Sequence, residues 1–208
     1  MSYSDFTLGI VQKKLGLEIR EQVNLFGATP QRSASVWLQE TLDYNLPLAL
    51  AINTEKVRSE LIIAPILIEL KRQLSPNISF FSGVDLNVEP ALGLNGICDF
   101  LMSFSSEQLW VKAPVCMIVE AKKENLNGGL GQCIAEMFAA KLFNERENNC
   151  IPVIYGAVTT GNLWKFLCLQ DSLVKIDLTE YVINQIDQIL GILAIAFAPP
   201  SLTPLKND

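Results

Sequence analysis

The sequence predicts an α/β protein: a mixed central sheet of about five strands flanked by helices, with a helical extension at its N-terminal end. Three observations carry that expectation. Apolar residues recur at helical spacing through the first third of the chain, whereas strand-like runs begin only at Ile78. Three such runs then follow one another, which suits an antiparallel start. A long helical stretch separates the third run from the fourth, and a crossover of that kind joins parallel strands. With 208 residues the chain can bury one sizeable core. Residues 1–52 are assigned to the extension and 53–208 to the core, within one domain overall.

The elements follow from local signals. Phe6, Ile10 and Val11 sit at helical spacing in a first helix over 5–15, with Asp5 as its cap. Residues 25–30 break the pattern. Ser33 or Ser35 caps a second helix that passes Trp37, Leu38 and Leu42 and ends near Tyr44. A third starts after Asn53 or Thr54 and turns apolar on all sides over 61–68, the mark of deep burial. Pro65 kinks or divides it. Strands are expected over 78–88, with an irregularity at Gly83, and over 94–104 and 115–121. The loop 125–129 leads into a helix over about 130–146. Strands over 151–158 and 163–169 surround a turn at 159–162, and a short strand lies around 174–176. A last helix runs from Glu180 to about Phe197 and stops at Pro199-Pro200.

Composition removes several function classes. The net charge is −6, so nucleic acid cannot be held by the overall field. Any such contact needs a local Lys/Arg cluster, a bound metal or a second protein. The absence of histidine removes the usual general base, His-containing zinc sites and Ser-His-Asp triads. Carboxylate and lysine chemistry around a hard cation such as Mg²⁺ is left. Cys98, Cys116, Cys133, Cys150 and Cys168 form no CxxC pair and mostly lie in apolar runs, as small hydrophobes in a reducing compartment do. The first residues lack a signal peptide's basic and apolar regions. The apolar run at 189–198 falls far short of the roughly 20 residues a membrane span needs. A cytoplasmic protein without membrane contact is expected. Only 18% of residues are charged, so apolar surface must be covered, and a homodimer is expected with the stripe Ile183, Ile186, Ile189, Leu190 and Leu193 as one candidate interface.

The second strand reads Gly96-Ile97-Cys98-Asp99-Phe100-Leu101, a carboxylate in apolar company. An unpaired charge there costs several kcal/mol, so it needs a partner. The third strand ends Ile118-Val119-Glu120-Ala121-Lys122-Lys123. Alternation puts Glu120 and Lys122 on one face, and hairpin pairing brings Asp99 beside Glu120. Two adjacent carboxylates repel unless a cation lies between them. Mg²⁺ would satisfy both and take a backbone carbonyl, here that of Ala121. The plainer readings are an Asp99 paired with a lysine and an ordinary charged strand end over 120–124.

Asp99 followed by Glu120-Ala121-Lys122 resembles the D…ExK signature of the PD-(D/E)XK nuclease superfamily, over roughly residues 53–169. That resemblance implies a restriction-endonuclease-like core and Mg²⁺, with Mn²⁺ as a substitute. It also implies metal-dependent cleavage of nucleic acid, DNA in the first place, in defence or repair. Asp99, Glu120 and Lys122 would be the catalytic set. The segment from Glu55 to Pro65 is similar to the first core helix, which often adds a carboxylate. Glu60 is chosen because it borders the buried run, although it can instead pair with Lys56, and Glu55 faces another way. Arg58 and Lys123 are candidates for phosphate. Gln132 matches a glutamine that positions substrate or metal in several branches, but Glu136 stands where those branches carry tyrosine. Residues 127–131 lack the Lys-Ser/Thr ending of a P-loop and turn the chain. Trp110 and Trp164 can stack on bases or fill the core. The competing reading is a non-catalytic interaction protein that retains the fold.

Overall fold

The structure, a computed structural model, describes residues 1–74, 76–149 and 151–198. The expected stop at Pro199-Pro200 and the setting of Cys150 lie outside them. Three strands, β2 (Ser79–Asp85), β3 (Ile97–Ser103) and β4 (Val115–Ala121), form an antiparallel meander. Helix α5 (Leu126–Arg146) crosses over, and β5 (Ile154–Thr159) returns parallel to β4. Then β6 (Leu163–Gln170) and β7 (Leu173–Asp177) add antiparallel neighbours. The mixed α/β architecture is therefore as expected.

The strand number is not. The described residues form an eight-stranded sheet in the order β1-β7-β6-β5-β4-β3-β2, with β8 (Tyr181–Val182) on β6. The unforeseen edge strand β1 (Glu18–Gln22) reads Glu-Ile-Arg-Glu-Gln and pairs parallel to β7. It is nearly all exposed, so no apolar alternation announces it. Its charges suit an edge, where they discourage pairing with another chain.

Helix boundaries moved for local reasons. Helix α1 is Leu8–Leu15, capped by Thr7. Helix α2 (Val36–Ile52) is capped by Ser35, runs past Tyr44 with Pro47 inside it, and ends at Asn53 in the left-handed region, φ 54°. Thr54 accepts the Val57 N–H at 3.2 Å and starts α3 (Glu55–Arg58). A π turn, Ser59–Ile63, joins α3 to α4 (Ala64–Leu74), so Pro65 does not break the chain of turns. Proline cannot donate to the carbonyl four residues back. That carbonyl, on Leu61, accepts instead from Asn45 Nδ2 at 2.9 Å.

Helix α5 starts at Leu126 rather than near 130, with Asn125 accepting the Gly128 N–H at 3.2 Å. Its glycines lie inside the helix, not in a loop, because packing demands thin turns there. A Cβ at Gly129 would come within 2.7 Å of Val158 Cγ1 and 3.1 Å of the Lys122 stem, and one at Gly131 within 2.3 Å of the Phe6 carbonyl.

The sheet is covered on both faces. Helices α2 to α4 and α6 (Ile186–Ala194) bury Phe100, Met102, Val119, Trp164 and Phe166 on one side. On the other, α1 and α5 bury Leu101, Ile118, Val158 and Met137. Helix α6 is shorter than expected because β8 and a 3₁₀ turn occupy residues 181–185. Ile189, Leu190 and Leu193 are buried within the chain, so this stripe is core and not the interface anticipated for it. No helix of the described residues is long and apolar enough to cross a membrane.

Candidate active site

The candidate site lies where β4 ends, under the first turns of α5. Every residue of β4 is buried, so Glu120 is carried into the interior with only 1% of its surface exposed. In the β3–β4 ladder Phe100 pairs with Val119. One step further brings Asp99 opposite Glu120, on the face that α5 covers. Asp99 Oδ2 accepts the Ala121 N–H at 2.8 Å, which fixes the carboxyl against the strand end. The Asp99 carboxyl is near enough for its charge to bear on Glu120.

Lys122, next on the same side of β4, donates from Nζ to Glu120 Oε1 and to Gln132 Oε1, the latter at 3.2 Å. Gln132 Nε2 in turn donates to Glu136 Oε1 at 3.1 Å. Glu120 Oε2 and Glu136 Oε2 are buried and have no hydrogen-bond partner. Burial, and then the Asp99 charge, push the Glu120 carboxyl up to about 8 although Lys122 pulls the other way. Burial and the Glu120 charge likewise raise Glu136 well above the carboxylate range. For Lys122, burial alone would lower the ammonium. The charges of Glu120, Glu55 and Asp99 outweigh it, and Lys122 is raised.

The structure thus gathers Asp99, Glu120, Ala121, Lys122 and Gln132 in one place. It does not bring in the rest of the expected set. Glu60 is exposed and lies 3.9 Å from Lys56 across one helical turn. The helix carboxylate that acts on Lys122 is Glu55, in the first turn of α3. Arg58 is buried and its guanidinium is spent on Asn53 Oδ1, the Thr160 carbonyl and Asn162 Oδ1 at 2.6–3.1 Å. It braces the β5–β6 turn against α3. Lys123 is exposed and pairs with Glu124 at 3.3 Å. Trp164 is core, its Nε1 donating to the Gly161 carbonyl at 2.9 Å, and exposed Trp110 precedes β4 at the far end from Glu120. Glu136 entered the sequence reading only as the residue that stands where tyrosine was expected, with no role assigned to it. Lys165, two strands from Glu120, reaches Asn127 Oδ1 at 2.9 Å and Glu180 at 3.2 Å, a placement no local pattern signals.

The donor set fits a hard cation. Two neighbouring carboxyl groups, with a buried oxygen on Glu120 lacking any donor, keep accepting capacity that the protein itself does not fill, and their repulsion keeps the proton on Glu120 when no cation is bound. Among the described residues no three His, Cys, Asp or Glu side chains are grouped to hold a metal. Mg²⁺ commonly needs only one or two carboxylates, with water and substrate phosphate completing its shell. No protein-family model, no curated protein and no solved structure matches this chain.

Proposed function

We propose that the chain is a Mg²⁺-dependent nuclease built on a PD-(D/E)XK, restriction-endonuclease-like core, hydrolysing phosphodiester bonds, of DNA in the first place. One observation carries the reading: Asp99 opposite Glu120 in the β3–β4 ladder, beside Lys122, with a buried oxygen of Glu120 left without a donor. The order of elements supports it, since a helix, three antiparallel strands, a crossover helix and a strand parallel to the third is the core that signature belongs to.

Asp99 and Glu120, with the Ala121 carbonyl, would hold the cation. Bound there, Mg²⁺ supplies charge neutralisation at the scissile phosphate and acidifies a water. Lys122 works as an ammonium, because the surrounding carboxylates favour its charged form. It donates, holding the attacking water or a phosphoryl oxygen in line, and does not act as the base. Gln132 shares the Lys122 ammonium with Glu120 and limits where it can point. Glu55 is the helix carboxylate of this site in place of Glu60. With a net charge of −6 and Arg58 engaged internally, affinity for the backbone comes from the cation and from a partner protein or partner strand. A homodimer remains part of the reading, and a monomer mass by light scattering at micromolar concentration would remove it.

The test is degradation of plasmid, linear and single-stranded DNA, and of RNA, at low salt with Mg²⁺ or Mn²⁺. Wild type cleaves at least one substrate, whereas Asp99→Asn and Lys122→Ala do not while remaining folded. Lys122→Arg rescues poorly, since a guanidinium has another shape. The acidic net charge favours the second reading, a non-catalytic interaction protein, and absence of cleavage by wild type on every substrate would leave that one standing.

A further inference from the structure

Glu136 is fully buried in the middle of α5, among Cys133, Ile134, Ala135, Met137, Ala139 and Ala140. A carboxyl group set in such company costs several kcal/mol unless its polar atoms are used. It makes one hydrogen bond, from Gln132 Nε2, one helical turn earlier. The carboxamide of Gln132 is then polarised in a single sense. The Lys122 ammonium can only donate, so the Gln132 oxygen must face Nζ, 3.2 Å away, and its nitrogen is turned to Glu136 Oε1, the acceptor that holds it there. With the amide reversed, an NH₂ group would meet an ammonium, a repulsive contact, and the N–H donated to Glu136 Oε1 would be lost. Gly129 lets the Lys122 stem lie against the same helix, because any Cβ there would press on it.

We propose that Glu136 is a positioning residue of this site: through Gln132 it fixes the direction of the Lys122 ammonium, and it touches neither substrate nor cation. The proposal rests on the nuclease reading. The chain of hydrogen bonds runs Lys122 to Gln132 to Glu136, and Glu120 holds Lys122 from the other side. Removing Glu136 frees the carboxamide to flip and lets Lys122 wander from the line of attack, which lowers turnover more than substrate affinity.

The experiment pairs kinetics with a readout that needs no catalysis. Glu136→Met keeps the volume and cannot accept, while Glu136→Gln keeps an acceptor oxygen. In Glu136→Met, kcat should fall about ten- to a hundredfold with KM nearly unchanged. Gln132→Leu should show the same loss, and the double variant no further loss, as expected for residues acting in series. Glu136→Gln should restore most of the rate. The side-chain NH₂ of Gln132, followed by NMR, should exchange slowly with solvent in wild type and Glu136→Gln, and quickly in Glu136→Met. Additive losses, or a Glu136→Gln as impaired as Glu136→Met, would overturn the relay. Wild type that cleaves nothing would sink the nuclease reading instead. The Gln132 exchange pattern would then decide by itself whether the hydrogen-bond chain exists.

Discussion

Among the described residues four carboxylates are almost wholly buried, and they fall into two pairs. At the end of β7, Asp177 accepts from the Phe26 N–H at 3.2 Å, the Thr179 N–H at 2.9 Å and the Tyr181 hydroxyl at 3.0 Å. Glu69, on α4, accepts from the Ser35 N–H at 3.1 Å and Gln73 Nε2 at 2.7 Å, with Arg72 at 3.7 Å. Each has its charge dispersed among fixed donors. Glu120 and Glu136 differ, since one oxygen of each has no donor at all. A buried carboxylate that serves the fold uses up its accepting capacity, because any unused part is a cost. Glu120, which keeps an oxygen free next to Asp99 and Lys122, is the one that the proposed nuclease reading assigns to a cation, and Glu136 is the one it assigns to positioning.

If that contrast is sound, the two kinds of carboxylate should fail in opposite ways. The largest effect is expected at the site. Glu120→Gln should lower cleavage by roughly two or more powers of ten, because a metal's charge stabilisation is worth several kcal/mol. The same variant should melt no lower than wild type at neutral pH, since the Glu120 carboxyl already holds its proton there and an amide of the same shape replaces it. A substantially lower melting temperature would place Glu120 with the structural pair. On β7, Asp177→Ala strands three donors and should cost about 3–5 kcal/mol. Calorimetry should register that as a melting point lower by about 10 °C. A shift of only a degree or two would erase the distinction.

A smaller effect is the pH dependence of the metal-free protein. The folded Glu120 carboxyl lies at about 8 against its ordinary 4.5, so the native state holds a proton that the unfolded chain has released. That contribution to stability is therefore complete below about 4.5 and disappears as pH rises through about 8. Glu136, raised in the same direction, adds to the slope. Melting temperature should fall between about pH 5 and 8, and the fall should be shallower in Glu120→Gln. An equal slope in both proteins would assign the effect elsewhere. The smallest contrast lies within one helix. Glu60→Ala should change neither stability nor cleavage measurably, its exposed pair with Lys56 being worth little. Glu55→Ala should reduce cleavage, because its charge acts on Lys122. Reversed outcomes would return the helix carboxylate to Glu60.

Asp99, Glu120 and Lys122 could be picked out from the linear chain because strand alternation is a short-range rule. Residues two apart share a face, and a charge inside an apolar strand is conspicuous wherever the strand finally packs. The succession of strands and the crossover helix was legible for the same reason. Strand β1 was not, for it has no apolar face and owes its conformation to the backbone of β7, some 150 residues later. Glu55 and Glu60 carry the same chemistry, and only their tertiary placement separates them: the charge of Glu55 bears on Lys122, whereas Glu60 is exposed beside Lys56. Arg58 looked free for phosphate until Thr160 and Asn162 arrived from the β5–β6 turn to occupy it. The stripe of α6 looked like an interface until α4 covered it. Glu136 joined the site only because α5 presses its buried side onto the sheet, with Gln132 reaching the Lys122 of β4. Sequence periodicity determined which residues share a face. Which atoms end within three ångströms of one another, and which are left without a partner, was decided by tertiary contacts, because hydrogen bonds and charges are satisfied across the fold and not along the chain.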